Sequence, residues 1–305
     1  MKILYKGVLA LTLFVLQSAL VTVALDVGGT DIGTVPFLLY ANVIGAVTIF
    51  FVMYLIDGCR ELLSLLNDPK RLVAIFTIGV LVAVVAEALL VIGTVQTNAS
   101  VSGIVYRMYP LMIVALTPIF LRHRVNTKQL FGLLLGFAGA YIMLSNGTVI
   151  SLSLTELPAL AMLVGSAFII AVTTLLIKKY NIGTLVFMEI SALAGIIFFL
   201  PAAMILHIPL PFSLSVGTVL SLLFIGAIDF GIGGVLFYYS YKLFNTTLAG
   251  MASLAIPVLT VILAFLLMGT TMQPYYFSAI VLLAIGTLIQ GKEIIKAPQY
   301  IPKQK

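Results

Sequence analysis

The chain has no tryptophan, one cysteine and two histidines among its 305 residues, and only 9% of it is charged. A single cysteine, Cys59, can form no internal disulfide. His123 and His207 both fall at the ends of apolar runs, so a histidine-based metal cluster or a buried Ser-His pair has no source. An aspartyl-protease type of site needs two carboxylates at one place, and Asp229 is the one aspartate inside an apolar run. No enzyme, metal or cofactor is therefore expected. With no tryptophan, an interfacial aromatic belt must come from residues such as Tyr5, Tyr54, Tyr180, Tyr275 and Tyr276. The scarcity of charge excludes most. With 62% hydrophobic residues and a mean hydropathy of +1.23, too little polar surface exists to cover a soluble globule.

What is present is apolar length. Crossing a bilayer takes about 20 mostly apolar residues, and ten such segments are predicted near 4–25, 35–56, 72–93, 99–121, 128–146, 156–178, 183–206, 215–241, 247–268 and 274–292. Lys2 and Lys6 before the first run also describe a signal peptide, but that run exceeds the usual 7 to 15 residues and reads as a span, at about 18 residues. Ten spans place fifteen of the sixteen Lys and Arg on one side, and Asp26, Asp31 and Glu156 on the other. Short cationic loops stay cytoplasmic, so a location in the cytoplasmic membrane with both termini on its cytoplasmic side is expected. The net charge of +6 is then a topology signal and implies no nucleic acid. The longest cytoplasmic loop is expected from about Asp57 to Arg71, with Cys59 in it. Gly226-x4-Gly231-x-Gly233-Gly234 lacks the Lys-Ser/Thr of a phosphate loop, which argues against direct use of ATP.

The ten segments are one five-span unit written twice. A shift of about 147 lays Gly79 on Gly226, Asn98 on Asn245, Gly103 on Gly250, Pro110 on Pro257 and Gly139 on Gly286 without a gap. A shift of about 150 lays Asp31-Ile-Gly-Thr, Phe37 and Gly45 on Asn181-Ile-Gly-Thr, Phe187 and Gly195. Because five is odd, the copies, 1–150 and 151–305, are inverted in the bilayer, an arrangement characteristic of transporters. The expected fold is an all-α membrane protein of ten transmembrane helices in two inverted five-helix repeats.

Four ionisable residues lie within the spans: Glu87, Arg107, Glu189 and Asp229. Each costs about 2.5 to 3.5 kcal/mol at a helix centre, so they must face a cavity or one another. Glu87 and Arg107 sit at similar depth on consecutive helices, about 9 and 12 Å from the outer ends at 1.5 Å per residue. Two readings stand open: a Glu87–Arg107 salt bridge pinning the helices, or an Arg107 fork that captures a carboxylate of the solute. Asp229 and Glu189 are the candidates for a coupling proton, although Glu189 is near enough to the inner end to snorkel. Gly226 and Gly233 are expected on the face of Asp229, at i−3 and i+4. Tyr40, Asn42, Tyr106, Tyr109, Tyr239 and Ser253 complete the candidate substrate-binding residues, and Gln17 and Tyr238 are further polar groups at mid-span. Gly132-x3-Gly136 suits close helix contact or a homodimer.

The segments Asn98-Ala-Ser-Val-Ser-Gly103 leading to Pro110 and Asn245-Thr-Thr-Leu-Ala-Gly250 leading to Pro257 resemble the two halves of the EamA-type branch of the drug/metabolite transporter superfamily. The resemblance implies a ten-helix secondary carrier with a central cavity lined by both repeats, in a family many of whose members export amino acids or related metabolites. One feature departs from it. Where family repeats commonly carry Gly-Glu, this chain reads Leu121-Arg122-His123-Arg124 and Met268-Gly269-Thr270. The expected function is alternating-access transport of a small organic solute, proton-coupled or facilitated; the alternative is a channel or a receptor-like scaffold.

Overall fold

The computed structural model describes residues 2–28, 32–56, 59–97, 99–122, 125–149, 156–244, 246–269 and 273–294. Asp31, Asn98, Asn245, His123 and Arg124, all used in the sequence argument, lie outside them, as does the tail after Ile294. Among the described residues there is no strand. Eight helical stretches among the described residues are long and apolar enough to cross a membrane by length and composition: Thr34–Leu55, Pro69–Gln96, Val101–Leu121, Thr127–Leu144, Leu157–Lys179, Thr184–Ile205, Val216–Leu243 and Thr246–Leu263. Two further apolar helices flank them, α1 (Lys2–Gly28) and α15 (Pro274–Ile294). The chain is a multi-pass membrane protein.

Between these lie α2 (Thr34–Leu55), α3 (Cys59–Leu66), α4 (Pro69–Val80), α5 (Glu87–Gln96), α6 (Ala99–Tyr106), α7 (Tyr109–Leu121), α8 (Thr127–Leu144), α9 (Leu157–Lys179), α10 (Thr184–Ile205), α11 (Val216–Leu223), α12 (Gly234–Leu243), α13 (Thr246–Leu254) and α14 (Ile256–Met268). A π-helical segment, Leu81–Ala86, joins α4 to α5, and a second, Phe224–Gly233, joins α11 to α12. Local chemistry sets several starts. Asp68 accepts from the Arg71 N–H at 3.1 Å with Pro69 at the first helical position, and Ser215 accepts from the Thr218 N–H at 3.1 Å.

The expected loop 57–71 contains α3, an amphipathic helix opened by Cys59, with Leu65 buried and Leu63 exposed. The predicted spans 99–121 and 247–268 are not continuous. Both break just before a proline, at Arg107–Met108 ahead of Pro110 and at Ala255 ahead of Pro257. Proline has no N–H for the carbonyl four residues back and its ring crowds that carbonyl. Both segments also end left-handed, at Arg122 (φ 53°) and Gly269 (φ 66°), 147 residues apart. Arg122 thus stands in a conformation that its counterpart fills with glycine.

Packing is reciprocal across the chain. The α2 helix lies along α10, and α8 along α15; α1 packs on α12, α14 and the second π segment, while α9 packs on α5, α7 and the first. Glycines set the closest approaches. A Cβ at Gly139 would stand 2.7 Å from the Ala279 carbonyl oxygen, and one at Gly286 would stand 2.5 Å from that of Gly132. The Gly132–Gly136 face is therefore covered within the chain, by α15 and by Met251 of α13. A Cβ at Gly195 would meet the Asn42 amide at 2.5 Å.

Candidate functional site

Near the middle of the bundle lies a cavity of about 270 Å³. The first half of the chain contributes Phe14 and Ser18 of α1, Asn42 of α2, Val82, Ala83, Glu87 and Leu90 around the first π segment, and Tyr106, Arg107 and Tyr109 at the break after α6. The second half contributes Ile170 of α9, Met188, Ser191 and Ala192 of α10, Asp229, Phe230, Gly233, Gly234, Phe237 and Tyr238 of the second π segment and α12, and Ile256.

Arg107 sits in the break between α6 and α7, where its backbone N–H still reaches the Gly103 carbonyl at 3.1 Å. A cation at the end of a helix complements the dipole. Its guanidinium donates through Nη1 to the Ser253 carbonyl at 3.3 Å. That acceptor exists because Pro257, four residues on, cannot bond it. Pro110 thus opens the helix at Arg107, and Pro257 frees the carbonyl that holds it.

The salt bridge entertained between Glu87 and Arg107 is not formed. Among the described residues Glu87 has no ion pair or hydrogen bond, and its strongest charged neighbour is the like-charged Asp229. Arg107 acts instead on Asp229, which also has Gln17 as a hydrogen-bonding neighbour. Gln17 donates in addition to the Ser18 hydroxyl at 2.8 Å. One guanidinium and two carboxyls therefore share the cavity.

Aromatic rings line part of the cavity and continue past it to Tyr241. Phe237 meets Phe14 at 5.3 Å, Tyr109 at 5.8 Å, and Tyr238 and Tyr241 at 4.8 Å each between centroids. Tyr109 also meets Tyr106 in a tilted contact at 5.4 Å and is nearly fully buried, beside Arg107, Ser253 and Tyr241.

Of the ten residues expected to bind substrate, Glu87, Arg107, Asp229, Asn42, Tyr106 and Tyr109 line the cavity. The other four stand off it. Glu189 is buried on α10 beside the lining residues Met188 and Ser191, with one carboxylate oxygen unpartnered. Tyr40 donates to the Pro211 carbonyl at 3.0 Å, tying α2 to the loop after α10. Tyr239 is half-buried, and its neighbour Tyr238 lines instead. Ser253 is fully buried, its hydroxyl donating to the Ala249 carbonyl, and serves the site through its own carbonyl. Gly226 does not share the face of Asp229. A Cβ there would lie 2.6 Å from Ile44 Cβ, whereas one at Gly233 would lie 2.5 Å from the Gln17 amide, because π-helical phase separates residues that α-helical spacing would align. Phe14, Ser18, Met188 and Ser191 are lining residues that the sequence did not single out.

Next to the aromatic cluster, two lysines read from the sequence as topology charges are structural. Buried Lys178, near the end of α9, donates to the carbonyls of Tyr241, at 2.7 Å, and Phe244, at the end of α12. Lys242 of α12 donates in return to the Ile182 carbonyl at 3.0 Å, just past α9. Each helix end is capped by a cation from the other.

The EamA-like transporter family profile matches residues 5–145 and again 157–290. An uncharacterized transporter of Archaeoglobus fulgidus is 25% identical over 232 residues, covering 73% of this chain and 79% of that protein. A crystal structure of another protein superposes with a TM-score of 0.82 over 96% of this chain and 99% of that one, at 16% identity, and so shares the fold.

Proposed function

This chain belongs to the EamA-like transporter family, and we propose on that premise that it carries a small organic solute, an amino acid or related metabolite, across the cytoplasmic membrane by alternating access, as an exporter. The observation that carries the proposal is the cavity itself, where Glu87 and Arg107 from the first half meet Asp229 from the second. A site built between two halves is where rocking of one half against the other exposes a solute to either side. In this reading α1 and α15 complete ten spans, residues 1–150 and 151–305 form two inverted repeats, and both termini are cytoplasmic with the cationic loops.

Arg107 spends one of its five donors on Ser253 and presents others to a carboxylate. Asp229, which lines the cavity, is assigned the coupling proton ahead of Glu189, which does not. The test is solute flux in proteoliposomes. A carrier gives saturable uptake that is accelerated by solute loaded inside, whereas linear flux without such exchange assigns a channel and sinks the proposal. In the same assay Asp229→Asn abolishes the dependence of flux on a pH gradient and Glu189→Gln retains it; the reverse pattern moves the proton to Glu189.

A further inference from the structure

Among its lining residues the cavity has two carboxyls to one guanidinium. Asp229 has Arg107 and Gln17 as neighbours. Glu87, which lines the same cavity, has no ion pair or hydrogen bond among the described residues, and its charged neighbour is a second carboxyl. Buried ionisable groups are retained in membrane proteins where they pair with something. Here the missing partner is positive. The rings of Tyr106, Phe237 and Tyr238 line the same space, and the faces of such rings attract an ammonium group that has shed its water.

We propose that the cavity selects organic ammonium ions of net positive charge, seated between Glu87 and Asp229, over neutral and anionic solutes of the same size. This rests on the transporter reading and narrows its solute class. A solute that also bears a carboxylate places it on Arg107, so a diamino acid satisfies all three charged groups. A dicarboxylate sets a third acid among two, and a neutral side chain leaves Glu87 unpaired.

The test uses the purified full chain in detergent and three amino acids of one size: L-lysine, L-norleucine, which lacks the second ammonium, and L-α-aminoadipate, which replaces it with a carboxylate. Ligand-dependent thermal shifts give apparent affinities. Lysine is expected to bind about tenfold or more tightly than either analogue, and Glu87→Gln to remove most of that preference with unchanged behaviour on size exclusion. Asp229→Asn is the second variant, should Glu87→Gln fail to fold. Norleucine or α-aminoadipate binding as tightly as lysine overturns the proposal, as does no shift with any of the three, or a lysine preference that survives both substitutions. Proteoliposomes separate the two readings. Selective lysine binding without saturable flux overturns the carrier and leaves the charge selection standing, whereas saturable flux of norleucine in preference to lysine does the opposite.

Discussion

The stretch from Pro69 to Leu121 and the stretch from Val216 to Met268 are built with the same backbone devices. Each has a long helix interrupted by a π segment, then a helix broken ahead of a proline, then a left-handed cap. Their side chains differ at the cavity. Glu87 follows the first π segment and lies over Gly234, Asp229 sits inside the second and lies over Val82, and Arg107 at the first break lies over Leu254 at the second. The repeated residues bend the frame and the unrepeated ones hold the charge. Neither set suffices alone, since the Ser253 carbonyl that steadies Arg107 is released by the repeated Pro257.

The largest break in this comparison comes from Arg107→Ala, which removes the cavity's cation. Flux of carboxylate-bearing solutes in proteoliposomes is expected to fall about 100-fold, the scale of removing one partner of a buried charged contact. Intact flux for every such solute would refute the anchoring role. Second is Lys178→Met. It strands the Tyr241 and Phe244 carbonyls and is expected to destabilise the protein by about 3 kcal/mol, against about 1 kcal/mol or less for Lys242→Met, whose lysine is half-buried. Thermal unfolding in detergent reads both, and equal losses would mean that the two caps are equivalent.

The third prediction concerns the scaffold, where the halves should agree. Gly139→Ala and Gly286→Ala each push a methyl onto backbone of the partner helix and are expected to cost about 2 kcal/mol apiece, an ordinary overpacking penalty. A large difference between them in melting temperature would show that α8 and α15 are not equivalent partners. The smallest effect is Tyr40→Phe. It loses one hydrogen bond to the Pro211 carbonyl, about 1 kcal/mol in stability, and should leave flux unchanged because Tyr40 is off the cavity.

Charge and glycine were legible in the sequence for reasons that lipid imposes. A charged group inside an apolar run has few places to go, so the sequence alone requires Glu87, Arg107 and Asp229 to face a cavity or one another. Glu189 met the same criterion and stands one position round the helix from lining residues, a rotation that residue type alone does not encode. Phe14 and Met188 were illegible because an apolar side chain facing a cavity has the same character as one facing lipid. The proline breaks were written in Pro110 and Pro257, yet a hydropathy count passes over them. The π segments were illegible in a different way. Leu81–Ala86 reads Leu-Val-Ala-Val-Val-Ala, with no residue that announces an altered helix, so the α-helical spacing assumed around Asp229 misplaced Gly226.

Those π segments have a mechanical consequence. A π turn holds one residue more than the α-helix on either side of it. If that extra residue is passed along the helix, the side chains it moves past swing by about 100°, one residue's share of a turn, while the helix ends stay anchored in their loops. Asp229 lies inside the longer of the two segments, so such a shift would reorient its carboxyl while the ends of Val216–Leu243 stay in place. Backbone amides of Leu81–Ala86 and Phe224–Gly233 are accordingly expected to exchange hydrogen faster than those of the uninterrupted α2 and α10 beside them.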